Sequence, residues 1–152
     1  MKNFKFNLEP LLRLKEVEKK KIELELAHCQ LEIDAHNNQL NSEHKSIRDM
    51  LIEAEYLVNK NNTIKSLLSV PGIMEIKKKN IKLLENQLLQ LELTRKEILD
   101  RLNVKTSEIK NVVEKKDEKL KEYKKQIEKI EEEKISDLYK AVIHQKKSRP
   151  HL

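Results

Sequence analysis

From Ile22 onward, apolar residues return every three or four places, at positions 22, 26, 29, 33, 36, 40, 43, 47, 50, 54, 57, 61, 64 and 68. Of these 14 positions, 11 are apolar: Ile22, Leu26, Cys29, Ile33, Leu40, Ile47, Met50, Ala54, Leu57, Ile64 and Leu68. At the chain's average of 38% hydrophobic residues about five would be expected, so the pattern asks for a helix with a partner along its seam. His36, Glu43 and Asn61 are its exceptions. A second seam runs through 74, 77, 81, 84, 88, 91, 95, 98, 102, 105, 109 and 112, broken at Lys77, Arg95 and Lys105. Its phase then advances by one residue, through Val113, Lys116, Leu120, Tyr123, Ile127 and Ile130, and shifts again at Ile135, Leu138 and Val142. Such stutters locally unwind a left-handed supercoil.

Between the two seams lie Ser69, Val70, Pro71 and Gly72, which hold the chain's one glycine and its one proline away from the ends. Proline lacks an amide donor and pushes Val70 out of the α region, and glycine turns the chain either way. The expected fold is all-α, two long helices forming an antiparallel coiled-coil hairpin. It occupies 1–152 as a single unit, with helix one over about 8–68, a hinge at 69–72 and helix two over about 73–147. Folding at about residue 72 places Glu43 near Arg101, His36 near Lys105 and Asp49 beside Arg95, as register-fixing polar layers. At about 1.5 Å per residue, helix two overhangs helix one. Asn59-Lys60-Asn61-Asn62 is a weak helix former, so fraying is expected to begin there. One break between two complementary seams favours an intramolecular pair, so the free protein is expected to be a monomer.

Composition agrees with a helical rod. Charged residues make up 38% and aromatics 3%, with no tryptophan, which is a poor basis for a globular core. Disordered chains share the low hydropathy but lack a sustained apolar period. Residues 1–70 carry 11 acids and 11 bases, so the whole net charge of +6 falls in the second half. Lysines and acids alternate there, as in Lys115-Lys116-Asp117-Glu118-Lys119, which suits a solvated helix face with i,i+4 pairs. Without interleaved aromatics these lysines support only salt-sensitive, nonspecific contact with nucleic acid.

Cys29 is the sole cysteine, so no intrachain disulfide forms, and its seam position suits a small buried hydrophobe. The basic start of the chain is followed by no apolar leader segment, and no stretch is apolar enough to span a membrane, so the cytoplasm is the expected compartment. No phosphate loop, HExxH or CxxC occurs, and a pair of helices offers no concave pocket in which to tune a pKa. The chain reads as a non-enzyme with no cofactor. His28, His36 and His44 recur every eight residues, a step that drifts about 80° on a helix, so they do not gather as metal ligands.

The two ends are the candidate binding regions. Phe4 and Phe6 are the only phenylalanines and precede the helix, with Asn7 as a candidate N-cap and Pro10 in the first turn. With Leu8, Leu11, Leu12 and Arg13 they form either a hydrophobic staple onto the helix or a docking tip. At the other terminus His144, Lys146, Lys147, Arg149, Pro150 and His151 follow the last apolar residues. These cations suit a helix C-terminus, and Lys146 and Lys147 are also candidates for contact with an acidic partner.

The opening Phe4-x-Phe6-x-Leu8-x-Pro10-Leu11-Leu12-Arg13-Leu14-Lys15, followed by Glu18 and a heptad helix, resembles the start of the FliJ family, coiled-coil proteins of the flagellar type III export apparatus. The chain length, the mid-chain break and the basic C-terminal end agree with that family. The resemblance implies a monomeric antiparallel coiled coil, similar to the long helices of the rotary ATP synthase γ subunit. Its termini would enter the pore of the hexameric flagellar export ATPase, promote ring assembly and couple the ring to the membrane export-gate component and to export chaperones. It would then sit in the cytoplasm, peripherally associated with the inner face of the membrane at the flagellar base. Where the family carries tyrosines in its gate-binding stretch, this chain has Gln39, Ser42 and Ser46. A stalk protein of a virulence-type secretion system, or a generic cytoplasmic coiled-coil adaptor, would share the architecture.

Overall fold

The computed structural model describes residues 3–60 and 67–148. The expectations for Asn61, Asn62, Ile64, Arg149, Pro150 and His151 lie outside these residues. Two long helices make up the fold, α1 over Glu9–Asn59 and α2 over Val70–Ser148, packed antiparallel.

Each helix starts where its capping chemistry allows. The Leu8 carbonyl accepts from the Leu12 N–H at 2.9 Å, so α1 opens one residue later than expected, with Glu9 and Pro10 in its first turn. Proline costs nothing there, and the carboxylate suits the positive end of the helix dipole. The Ser69 carbonyl likewise accepts from the Ile73 N–H at 3.2 Å, which makes Ser69 the cap and puts Val70, Pro71 and Gly72 inside the first turn of α2. Of the expected hinge at 69–72, Ser69 lies with Leu68 in a turn ahead of α2, while Val70, Pro71 and Gly72 belong to the first turn of the helix, which restarts at Val70 rather than at about residue 73. Pro71 lacks only an N–H that a first turn leaves without an intrahelical acceptor in any case. α1 itself ends at Asn59, where the weak helix-forming stretch begins and fraying is expected.

This correction moves the register. The facing pairs Glu43–Lys77, Cys29–Leu91, His36–Gln87 and Glu25–Arg101 have midpoints between residues 60 and 63, rather than near 72. Glu43 thus pairs with Lys77 and not with Arg101, His36 with Gln87 and not with Lys105, and Arg101 with Glu25.

The helices pack in two compact units, where one unit over 1–152 is the expectation. A layer two helices thick lets each turn touch only its immediate neighbours, so compactness is local. In the unit of Glu18–Val104 the core is Ile22, Cys29, Ile33 and Ile98, with Leu26, Leu88, Leu91 and Leu102 packed against it. Seam positions 22 through 57 of α1 are all buried or half-buried, as are those of α2 through 91, and the Cys29 thiol donates to the Leu91 carbonyl at 3.5 Å. Two seam residues depart from expectation. Arg95 is exposed, and Leu68, which precedes α2, is exposed as well. The polar layer at Glu43 holds its Oε2 enclosed, with Lys77 Nζ 3.5 Å away as a compensating charge but with no directed hydrogen bond.

In the unit of Met1–Val17 with Lys105–Leu152, Leu12 and Val112 are the buried residues. Val112 holds the seam and Val113 lies at its edge. Lys116, Leu120, Tyr123 and Ile127 then follow half-buried, so the phase advance occurs between 116 and 120.

Candidate partner-binding site

The N-terminal segment lies back along α2 in this second unit. The Phe4 ring meets the Tyr123 ring with centroids 5.5 Å apart and planes tilted by 46°, an arrangement aromatic quadrupoles favour. Phe4, Phe6 and Leu8 together with Lys115, Lys119 and Tyr123 line a groove of about 500 Å³. The Glu9 N–H donates to the Phe6 carbonyl at 3.1 Å, which turns the segment into α1.

Cations and carboxylates tie the same stretch together. Lys116 Nζ lies 2.9 Å from Glu9 Oε2, and Lys15 and Lys105 approach Glu108 Oε2 at 2.9 and 3.2 Å. The Lys15 ammonium first, and then that of Lys105, holds the Glu108 carboxyl below its ordinary value.

The candidate residues divide into three groups. Phe4 and Phe6 are half-buried and line the groove with residues of α2, whereas a staple would set them on the first turn of α1. Leu8, Leu11 and Arg13 face solvent, whereas Leu12 is 5% exposed and is a seam residue, not a docking one. Lys146 and Lys147 are exposed in the last turn of α2. They do not gather with the phenylalanines: 23 residues separate Tyr123 from Lys146, about 35 Å of helix. The expected single cluster at the chain ends is two separate patches. The pairing register is the reason, because the first described residues of the N-terminal segment already face α2 near Tyr123.

Residues 128–142 are all exposed, among them Ile130, Ile135, Leu138, Tyr139 and Val142, with Leu138 at 68%. Ile135, Leu138, Tyr139 and Val142 recur at helical spacing, so one side of the bare helix is apolar. The spacing of Ile135, Leu138 and Val142 reads as a continuation of the seam, and their exposure is not signalled by the sequence. Their exposure is what distinguishes them.

In the other unit Gln39 and Ser42 line a shallow groove of about 280 Å³ with Glu43, Asn80, Leu83 and Leu84, and Ser46 lies half-buried one turn on. His36 Nδ1 lies 2.8 Å from the Glu32 carbonyl and its Nε2 3.3 Å from Gln87 Oε1, while His28 reaches Glu32 at 3.0 Å. Among the described residues no group of three or more His, Cys, Asp or Glu is placed to hold a metal ion, and no helix is long and apolar enough to cross a membrane. No protein-family profile, curated protein or solved structure matches the chain.

Proposed function

We propose that this protein is the non-enzymatic central stalk of a flagellar type III protein export ATPase complex, acting in ring assembly and in coupling the ring to the export gate and export chaperones. The observation that carries the reading is the far part of α2, where residues 128–142 are exposed with an apolar face and the last turn carries the exposed Lys146 and Lys147. A lone helix is about 10–12 Å across with its side chains, slender enough for the pore of a ring, and it offers apolar and cationic side chains to surrounding subunits. The opening motif from Phe4 to Lys15 supports the same reading through its resemblance to the FliJ family.

In this reading the stalk works as a single copy once docked, in the cytoplasm at the inner face of the membrane. The groove at Gln39 and Ser42 is the candidate place for the gate component. The test is the activity of the cognate export ATPase against stalk concentration. Lys146→Glu with Lys147→Glu is expected to weaken stimulation at unchanged helicity, with the difference fading as salt rises. Val70→Ser at the start of α2 is expected to spare stimulation. Full stimulation by the double-charge variant, together with full stimulation by Leu138→Asp, would refute the assignment.

A further inference from the structure

The exposed face of α2 carries an internal symmetry that the stalk reading does not use. Glu131, Ile135, Leu138, Tyr139, Val142 and Lys146 are spaced 4, 3, 1, 3 and 4 residues apart, a pattern that reads the same in both directions. At about 100° per residue all six fall within an arc of about 100°, so they form one stripe. The charge of the whole stretch, on the stripe and off it, reverses across its centre. Residues 128–137 hold five carboxylates and two lysines, a net of −3, while 138–148 hold three lysines and no carboxylate, a net of +3.

We propose that this stripe pairs with the same stripe of a second copy, in an antiparallel two-fold arrangement centred between Leu138 and Tyr139. A two-fold interface presents one patch to itself, so its residues must be complementary on reversal. Reversal about that centre brings Glu131 to the level of Lys146 of the second copy and Ile135 to the level of Val142. Leu138 and Tyr139 gather about the axis. The acidic half of each helix then lies along the basic half of the other. A parallel pair would instead set −3 against −3 and +3 against +3, which charge repulsion opposes.

The stripe has six residues a side, against the roughly 20–30 of a stable interface, so the dimer is weak and exchanges readily. The free protein is accordingly a monomer at low concentration. The inference rests on the exposed face alone and not on the stalk reading. If both hold, docking into a ring and self-pairing exclude each other, because they use the same face.

Sedimentation equilibrium of the full chain at low ionic strength tests the proposal. Monomer is expected at about 10 µM, with a dimer fraction growing toward about 1 mM. Glu131→Lys alone and Lys146→Glu alone each set like charges opposite one another and are expected to shift the dimer midpoint about tenfold higher. Mixing the two variants restores both opposite-charge contacts in the mixed dimer and returns the midpoint to that of the unaltered chain. Both positions are exposed, and circular dichroism confirms that each variant is folded. A chain that stays monomeric at about 1 mM overturns the proposal, as does a dimer indifferent to Glu131→Lys. Failure of the mixture to recover overturns the antiparallel arrangement.

Discussion

Ile98 is the residue whose truncation measures most directly what holds the helix pair together. It is 5% exposed and packs in the cluster formed by Ile22, Cys29 and Ile33. Ile98→Ala removes three carbon atoms, worth about 0.8 kcal/mol each, or roughly 2.4 kcal/mol of transfer free energy. In a globular core a cavity term would add to this and carry the total as high as about 5 kcal/mol. Here only two helices enclose the site, so water and neighbouring side chains reach the gap and the cavity term shrinks. The expected loss is therefore about 2–3 kcal/mol, with alanine's better helix propensity returning a few tenths. The assay is urea unfolding followed by circular dichroism at 222 nm, with the slope m compared between variants to check that the unfolded state is unchanged. Leu24→Ala is the control. Leu24 is 71% exposed on the same helix pair, and its truncation is expected to change stability by less than about 0.5 kcal/mol. A loss under about 1 kcal/mol for Ile98→Ala, or an equal loss for both, would refute the seam as the source of stability.

Glu43→Leu is expected to leave helicity unchanged and stability equal or higher, because the enclosed Oε2 of this half-buried carboxylate has a lysine nearby but no directed hydrogen bond; loss of several kcal/mol in the same urea assay would contradict this. Glu108 is expected to titrate below its ordinary value of 4.5 when followed by carboxyl-carbon NMR, and Lys15→Gln is expected to bring it back up. Since the folded state binds this proton less readily than the unfolded state, the stabilisation from Glu108 is present above the ordinary value and is lost as pH falls through the folded one. A midpoint at or above 4.5 would remove that contribution.

The helical pairing was legible from periodicity, and the end of α1 from the weak helix former at Asn59, but the fold point was not. Positions 22 through 57 form the seam as their spacing requires, since a heptad pattern records which face of a helix is buried whatever lies at its ends. Pro71 and Gly72 drew the break to themselves because both are strong breakers inside a helix, yet a first turn tolerates them. Asn59 carried the better signal, since asparagine is a weak helix former and α1 ends on it. A shift of about ten residues in the fold point then changed every facing pair. A fold point near 72 would set Phe4 well beyond Tyr123, so the contact between the two rings follows only from the observed register. The candidate docking residues fared accordingly: Leu12 was absorbed into the seam, and the terminal lysines were set apart from the phenylalanines. Periodicity says nothing about a partner, so the functional reading draws on the opening motif and on the face left uncovered.

The bare end of α2 has a thermodynamic character unlike the rest of the chain. A solitary helix of some 20 residues is marginal in water, but this one grows from a segment already held by packing, so it avoids the cost of nucleation and faces only that of propagation. The exposed turns over 128–142 are held chiefly by backbone hydrogen bonds, and opening from the tip inward costs progressively more free energy. Whatever covers the Leu138 face therefore also sets how far the helix extends. Affinity and folding become a single quantity there, and a binding isotherm for this tip will carry the heat-capacity signature of ordering as well as that of contact.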